Sequence, residues 1–125
     1  MLLDSHVALA ALRDESRLGA RTRSRLESDT VFVSAASTWE LTIKVRTGRL
    51  EFTEPLGQML AESGFRHLPV LVEHGLRIGE VEGLPHGDPF DRLLLTQALV
   101  EGVDFLTWDR QILAAGLPFV RDARE

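Results

Sequence analysis

Short aliphatic runs alternating with longer amphipathic stretches constrain this chain more than any other feature of its sequence. The runs fall at Met1–Leu3, Val31–Val33, His67–Val70, Val103–Thr107 and Pro118–Val120. Each is too short for a helix and is bounded by polar or turn-forming residues, the pattern of a strand buried inside a sheet. Between them the periodicity predicts helices from about His6 to Arg13, Gly19 to Ser28, Ala35 to Thr47, Pro55 to Ser63, Glu73 to Val81, Pro89 to Glu101 and Arg110 to Ala115. Gly48, Gly64, Gly102 and Gly116 sit just past four of these segments, where a left-handed residue ends a helix. Strand–helix alternation of this kind points to an α/β fold around a parallel sheet. No repeat, low-complexity tract or Pro/Gly/Ser linker divides the sequence, so residues 1–125 are read as a single domain.

A parallel sheet with right-handed crossovers brings every strand's carboxyl end close to the amino end of the next helix. Ligands of such folds bind along that edge. In this chain the junctions are acidic: Asp4 follows the first run, Glu40 lies in the first turns of the helix after Val33-Ser34, Asp88 and Asp91 open the Pro89–Glu101 helix, and Asp109 follows Thr107-Trp108. Each acid has an ordinary structural explanation as a helix cap. Asp4 and Asp109 can cap the helices they precede, Asp88-Pro89-Phe90-Asp91 is a helix start in its own right, and Ser37-Thr38-Trp39-Glu40 fits a capping box unless the helix begins at Ser34. Together they are harder to explain by caps alone. Two carboxylates about 4 Å apart repel by roughly 4 kcal/mol at an effective dielectric near 20, and Ser, Thr or Asn could cap without that cost. A hard divalent cation relieves the repulsion. Mg²⁺ takes a few carboxylates and keeps waters that exchange with phosphate oxygens.

Composition narrows the chemistry further. With no cysteine there is neither a disulfide framework nor a thiolate metal site, so metal must be held by oxygen or imidazole. The four histidines show no paired spacing for zinc, and no P-loop, G-x-S-x-G elbow or G-x-G-x-x-G is present. The net charge of −5, from 14 basic against 19 acidic residues, argues against broad adhesion to nucleic acid, so any such binding must be local. Basic residues are bunched at Arg13, Arg17, Arg21, Arg23 and Arg25 and at Lys44, Arg46 and Arg49; they form two solvated helix faces, or else the Arg13–Arg25 cluster and Lys44 guide a nucleic-acid backbone. The first residues carry no basic targeting region and no apolar run approaches a membrane span, from which a cytoplasmic protein is expected.

Met1-Leu2-Leu3-Asp4-Ser5-His6, Ser34-Ala35-Ala36-Ser37-Thr38-Trp39-Glu40-Leu41-Thr42-Ile43-Lys44, Asp88-Pro89-Phe90-Asp91-Arg92-Leu93-Leu94 and Leu106-Thr107-Trp108-Asp109 resemble, in this order and spacing, the motifs of the PIN-domain nucleases, in particular the VapC-like toxins of prokaryotic toxin–antitoxin systems. The resemblance spans nearly the whole chain. It implies an α/β/α sandwich with a central, mainly parallel sheet of four to five short strands. It also implies a metal held by Asp4, Glu40, Asp91 and Asp109, with Asp88 as the further acid of a D-P-F-D subgroup. Ser5 stands where threonine is common, and Leu84-Pro85-His86-Gly87 is shorter than the usual loop. Relatives form homodimers and are neutralised by a small DNA-binding antitoxin.

The expected activity is endoribonuclease hydrolysis dependent on Mg²⁺, with Mn²⁺ substituting, in which the cation acidifies an attacking water. Asp4, Asp91 and Asp109 are the principal expected ligands, with Glu40 and Asp88 completing or orienting the site. Ser5, His6, Lys44 and Thr107 are expected substrate contacts, and His86 falls near the same edge. His67 and His74 are read as surface or packing residues. Trp39 is expected in the core, although it or Trp108 could stack a base. Two rivals use the same acids: a receiver-like regulatory domain with an acidic Mg²⁺ pocket, disfavoured because Lys44, the only lysine, falls inside a helix, and an inactive PIN-like module that merely receives a partner's arginine.

Overall fold

The computed structural model describes residues 1–84 and 87–125. Five strands, β1 (Leu2–Leu3), β2 (Phe32–Ser34), β3 (Arg66–Leu68), β4 (Phe105–Thr107) and β5 (Val120–Asp122), form one sheet in the order β3-β2-β1-β4-β5. Every pairing is parallel, with Leu2 opposite both Phe32 and Phe105, and Leu3 opposite Leu106. The helices are α1 (Ser5–Arg13), α2 (Ala20–Ser28), α3 (Ala35–Arg46), α4 (Leu56–Ser63), α5 (Val72–Leu76), α6 (Pro89–Glu101) and α7 (Arg110–Ala114). Among the described residues no helix is long and apolar enough to cross a membrane.

The strands are only two or three residues long, yet their side chains feed two separate cores. Because successive strand residues point to opposite faces, Leu3, Val33 and Leu106 pack with Val7, Ala8, Leu18 and Leu60 on one side. Leu2 and Phe105 pack with Leu68, Leu94, Leu95, Ala98 and Ile112 on the other. This is the expected α/β/α sandwich. Each buried leucine or phenylalanine contributes about 1.5–3 kcal/mol, which offsets the small number of ladder hydrogen bonds that such short strands can make.

The helix ends fall where local chemistry places them. Gly48, Gly64, Gly102 and Gly116 all have φ between 65° and 74°; at Gly102 the left-handed turn carries the chain from α6 directly back towards β4, with Val103 N donating to Ala98 O. Two expectations are corrected. The helix expected over Glu73–Val81 is interrupted: α5 stops at Leu76 and a 3₁₀ turn follows at Ile78–Glu80. Gly75 and Gly79 each cost a helix roughly 1 kcal/mol relative to alanine. The last strand lies at Val120–Asp122, two residues beyond the apolar run Pro118–Val120. Leu117 O accepts from Val120 N in a turn, and pairing starts where Phe119 O meets Phe105 N, so a charged edge strand carries the register.

The strand order also locates the site. From β1 the chain moves outward to β2 and β3, then returns across β1 to β4 and β5. The reversal lies between β1 and β4, and a crevice opens at the carboxyl ends of the two strands where their crossovers diverge.

Candidate active site

Asp4 directly follows β1 and Thr107 ends β4, one on each side of this reversal. The Thr107 hydroxyl donates to Asp4 Oδ2 at 2.6 Å and accepts from Asp109 N at 3.0 Å, joining the two strand ends. Asp4 does not cap α1 with its side chain. It is 4% exposed, and burial pushes its carboxyl up from the usual range while the Thr107 bond pulls it down.

Glu40 reaches the crevice from the second turn of α3. Ser34 supplies the cap of that helix by accepting from Ala36 N at 3.0 Å, so the helix begins at Ala35 and the capping-box alternative at Ser37 does not form. Ser37, Glu40 and Lys44, at i, i+3 and i+7, share one face. The Ser5 hydroxyl donates to Glu40 Oε2 at 2.7 Å and lies 2.9 Å from Ser37 Oγ, while Lys44 Nζ pairs with Glu40 Oε1 at 3.0 Å. Ser5 and Thr107 are 1% and 0% exposed. Both expected substrate contacts are thus buried, and each donates to a carboxylate, Ser5 to Glu40 and Thr107 to Asp4.

The amino end of α6 delivers the remaining pair. Asp88 accepts from Phe90 N at 2.9 Å and Asp91 N at 3.3 Å, with proline at the first helical position. Asp109 caps α7 in the same manner, accepting from Gln111 N at 2.7 Å and Ile112 N at 3.3 Å. Capping is therefore real at Asp88 and Asp109, and it does not exhaust their role. Asp4, Glu40, Asp88, Asp91 and Asp109 line one cleft of about 380 Å³, together with His6, Lys44 and Arg49. Asp91 shows the consequence: desolvation, then the facing charges of Asp88, Asp4, Asp109 and Glu40, push its carboxyl up to about 7.

The donor set suits a hard cation that keeps much of its own water. Among the described residues no three His, Asp or Glu side chains are close enough to cage an ion by themselves. Mg²⁺ does not require such a cage, because it is commonly held by one or two carboxylates with the remaining positions left to water and phosphate. All-oxygen donors, the crowding of carboxylates around Asp91 and room for a hydrated ion fit that chemistry.

Other expected residues are placed less uniformly. His6 is exposed on the cleft wall, and His67 is exposed on β3. His86, expected at the same edge, lies outside the described residues. His74 is fully buried: Nδ1 accepts from Leu71 N at 2.9 Å, leaving Nε2–H to donate to Glu101 Oε1 at 2.8 Å. Trp39, expected in the core, is 64% exposed and meets Phe90 edge-on at 6.0 Å. It follows Ser37 and precedes Leu41 by two residues each, about 200° around the helix from either, so it cannot share their buried face.

The arginine cluster is largely occupied within the fold. Arg13 stacks on Phe52 and Arg17 on Trp108, Arg23 bonds Leu18 O, and Arg25 pairs with Asp29 and Asp104. Sequence reasoning missed the placement of Arg49 in the cleft. The loop after Gly48 folds back so that Arg49 N donates to Lys44 O at 2.8 Å, and the helix-ending glycine was the available signal. It also missed Ser34 Oγ donating to Gln97 Oε1 at 2.6 Å, which ties the start of α3 to the middle of α6.

Comparison with known proteins agrees with this architecture. A comparison with curated proteins finds no match. Solved structures that resemble the chain include VapBC2 from Rickettsia felis bound to a DNA fragment from its promoter, at 16% identity and TM-score 0.68, covering 97% of this chain and 96% of that one. DNA-bound VapBC from Salmonella typhimurium matches at 18% identity and TM-score 0.67, with coverage of 97% and 96%. A toxin–antitoxin complex from Klebsiella pneumoniae matches at 17% identity and TM-score 0.65, with coverage of 96% and 94%. The sequence itself matches the PIN domain family over residues 1–116, and the chain belongs to that family.

Proposed function

We propose that the protein is a Mg²⁺-dependent endoribonuclease, with Mn²⁺ as a substitute, acting as the toxin of a toxin–antitoxin pair. The observation that carries this reading is the convergence of five carboxylates from four chain segments on one cleft at the strand reversal, with Asp91 pushed up to about 7 by desolvation and by the other four charges. A cation held by Asp4, Asp91, Asp109 and Glu40 supplies the charge that acidifies water and offsets negative charge on a phosphodiester. Thr107 fixes the orientation of Asp4, and Ser5 with Lys44 fixes Glu40, so these carboxylates are positioned before substrate arrives. Asp88 holds the first turn of α6 and thereby the direction of Asp91. His6, Lys44 and Arg49 line the same cleft and can meet a phosphate. Lys44 and Arg49 make positive charge local, as an acidic protein that binds RNA requires.

The likeness to chains from VapBC and other toxin–antitoxin complexes supports a cognate antitoxin as partner, and a homodimer belongs to the same reading. The receiver-like alternative is set aside, since the strand order is not 2-1-3-4-5 and Lys44 is paired with Glu40 within α3. Incubating the purified protein with single-stranded RNA in Mg²⁺, in Mn²⁺ and in EDTA tests the proposal. Cleavage in either metal, lost in EDTA, is expected; absence of cleavage in both metals favours the inactive binding module.

A further inference from the structure

We propose that the exposed face of Trp39, braced by Phe90, is a stacking platform for an unpaired nucleobase of the strand cut in the acidic cleft; this rests on the nuclease reading above. The indole is 64% exposed on α3 and is joined there by Ile43, 39% exposed, so the exposed apolar surface is a patch and not a single side chain. Its ring meets Phe90 at 61° with centroids 6.0 Å apart, and Phe90 itself lines the carboxylate cleft. Ile43, one helical turn on from Trp39, is also exposed and lines that cleft. The aromatic surface is therefore continuous with the site.

The cleft thus has Ile43 and Phe90 beside its carboxylates, with Lys44 and Arg49 also lining it, and Trp39 extends this apolar side beyond the cleft through its contact with Phe90. A nucleotide has matching parts: a flat base to stack and a phosphate to meet cations. A peptide arginine is the competing occupant, since guanidinium also stacks on indole. The arrangement favours a base, because the ring that meets the indole is Phe90, and Glu40, the next residue on the helix, is already paired with Lys44 and bonded by Ser5. Stacking also selects single strands, whose bases are free to splay onto an aromatic face.

The experiment compares wild type, Trp39→Ala and Trp39→Phe in Mg²⁺ or Mn²⁺ on a single-stranded oligoribonucleotide, intact or with one abasic nucleotide placed next to the cut. Trp39→Ala should raise KM at least ~10-fold with kcat within about threefold, and Trp39→Phe should recover most of the loss. The abasic substrate should impose a similar penalty on wild type and little further penalty on Trp39→Ala. Melting curves establish that the variants remain folded. A KM for Trp39→Ala within about twofold of wild type, or full additivity of the two changes, overturns the platform. So does a Trp39→Ala variant altered only in self-association or in binding a protein partner. Failure of wild type to cut RNA overturns the underlying nuclease reading, and the platform with it.

Discussion

Thr107 Oγ1 donates to Asp4 Oδ2 at 2.6 Å, across the point where the sheet reverses its strand order. One short bond therefore couples the tertiary pairing of β1 with β4 to the charge state of the most buried acid in the cleft. Thr107→Val should leave that carboxylate without its hydroxyl donor and cost about 2 kcal/mol, a fall in Tm of roughly 6–10 °C. Thr107→Ser should restore most of it. Thermal melts in chelator check both, and an unchanged Tm for the valine variant would show that the bond contributes little.

Removing charge while keeping a capping side chain separates function from structure at the acids. Asp4→Asn, Asp91→Asn and Asp109→Asn should each lower RNA cleavage at least ~100-fold, about 2.7 kcal/mol of barrier, in proteins that remain folded. Asparagine still accepts a hydrogen bond at the start of α7. Asp88→Asn should cost less than Asp91→Asn, because Asp88 Oδ1 is engaged by Phe90 N and Asp91 N. The reverse order in kcat/KM would assign the direct role to Asp88.

The position of Asp91 sets a pH dependence whose sign is opposite to that of an ordinary ion-paired aspartate. Its folded-state value, about 7, lies above the usual 3.8, so the folded protein binds more protons than the unfolded chain between those limits. In chelator the stability contribution is complete below about pH 4 and is lost as pH rises towards 7. Asp91 is only partly buried, so solvent screening reduces the effect to about 1–2 kcal/mol. Melts from pH 4 to 8 in EDTA should show the decline, and Asp91→Asn should flatten it. Millimolar Mg²⁺ or Mn²⁺ should raise Tm more at pH 8 than at pH 5.5, since protons compete for the same carboxylate.

The cut ends report the nucleophile. A water acidified by a cation leaves 5′-phosphate and 3′-hydroxyl termini, whereas attack by the ribose 2′-hydroxyl leaves a 2′,3′-cyclic phosphate. The first is expected, together with slow, metal-dependent cleavage of a substrate carrying a 2′-deoxy sugar at the cut. Cyclic-phosphate ends, or full activity in EDTA, would move catalysis away from the acidic cluster.

The polar network between helices offers a test independent of activity. Gln97 accepts from Ser34 Oγ at 2.6 Å and donates to Pro69 O at 3.2 Å in the interior. Gln97→Leu should strand both partners and destabilise the fold by about 1–3 kcal/mol, measured as a lower denaturation midpoint at unchanged slope.

Local signals in the sequence determined most of the elements, because helix starts and stops are written within a few residues. Asp88-Pro89 opens α6 as read, Gly102 closes it in a left-handed turn, and the aliphatic runs become five parallel strands. The same junctions identified Asp4, Glu40, Asp88, Asp91 and Asp109, which line one cleft. Tertiary structure alone decided what those residues and their neighbours touch. Thr107 and Asp4 are 103 residues apart and meet only because β1 and β4 pair, so no local pattern could show that Thr107 and Ser5 bond to carboxylates. Likewise, an apolar run marked β5, but pairing with β4 placed the strand two residues later. Hydrophobicity suggested a buried Trp39, whereas the helix phase set by Ser37 and Leu41 turns it outward. Sequence periodicity specifies that an element exists and of which type, while its register and the environment of its side chains depend on the elements that pack beside it.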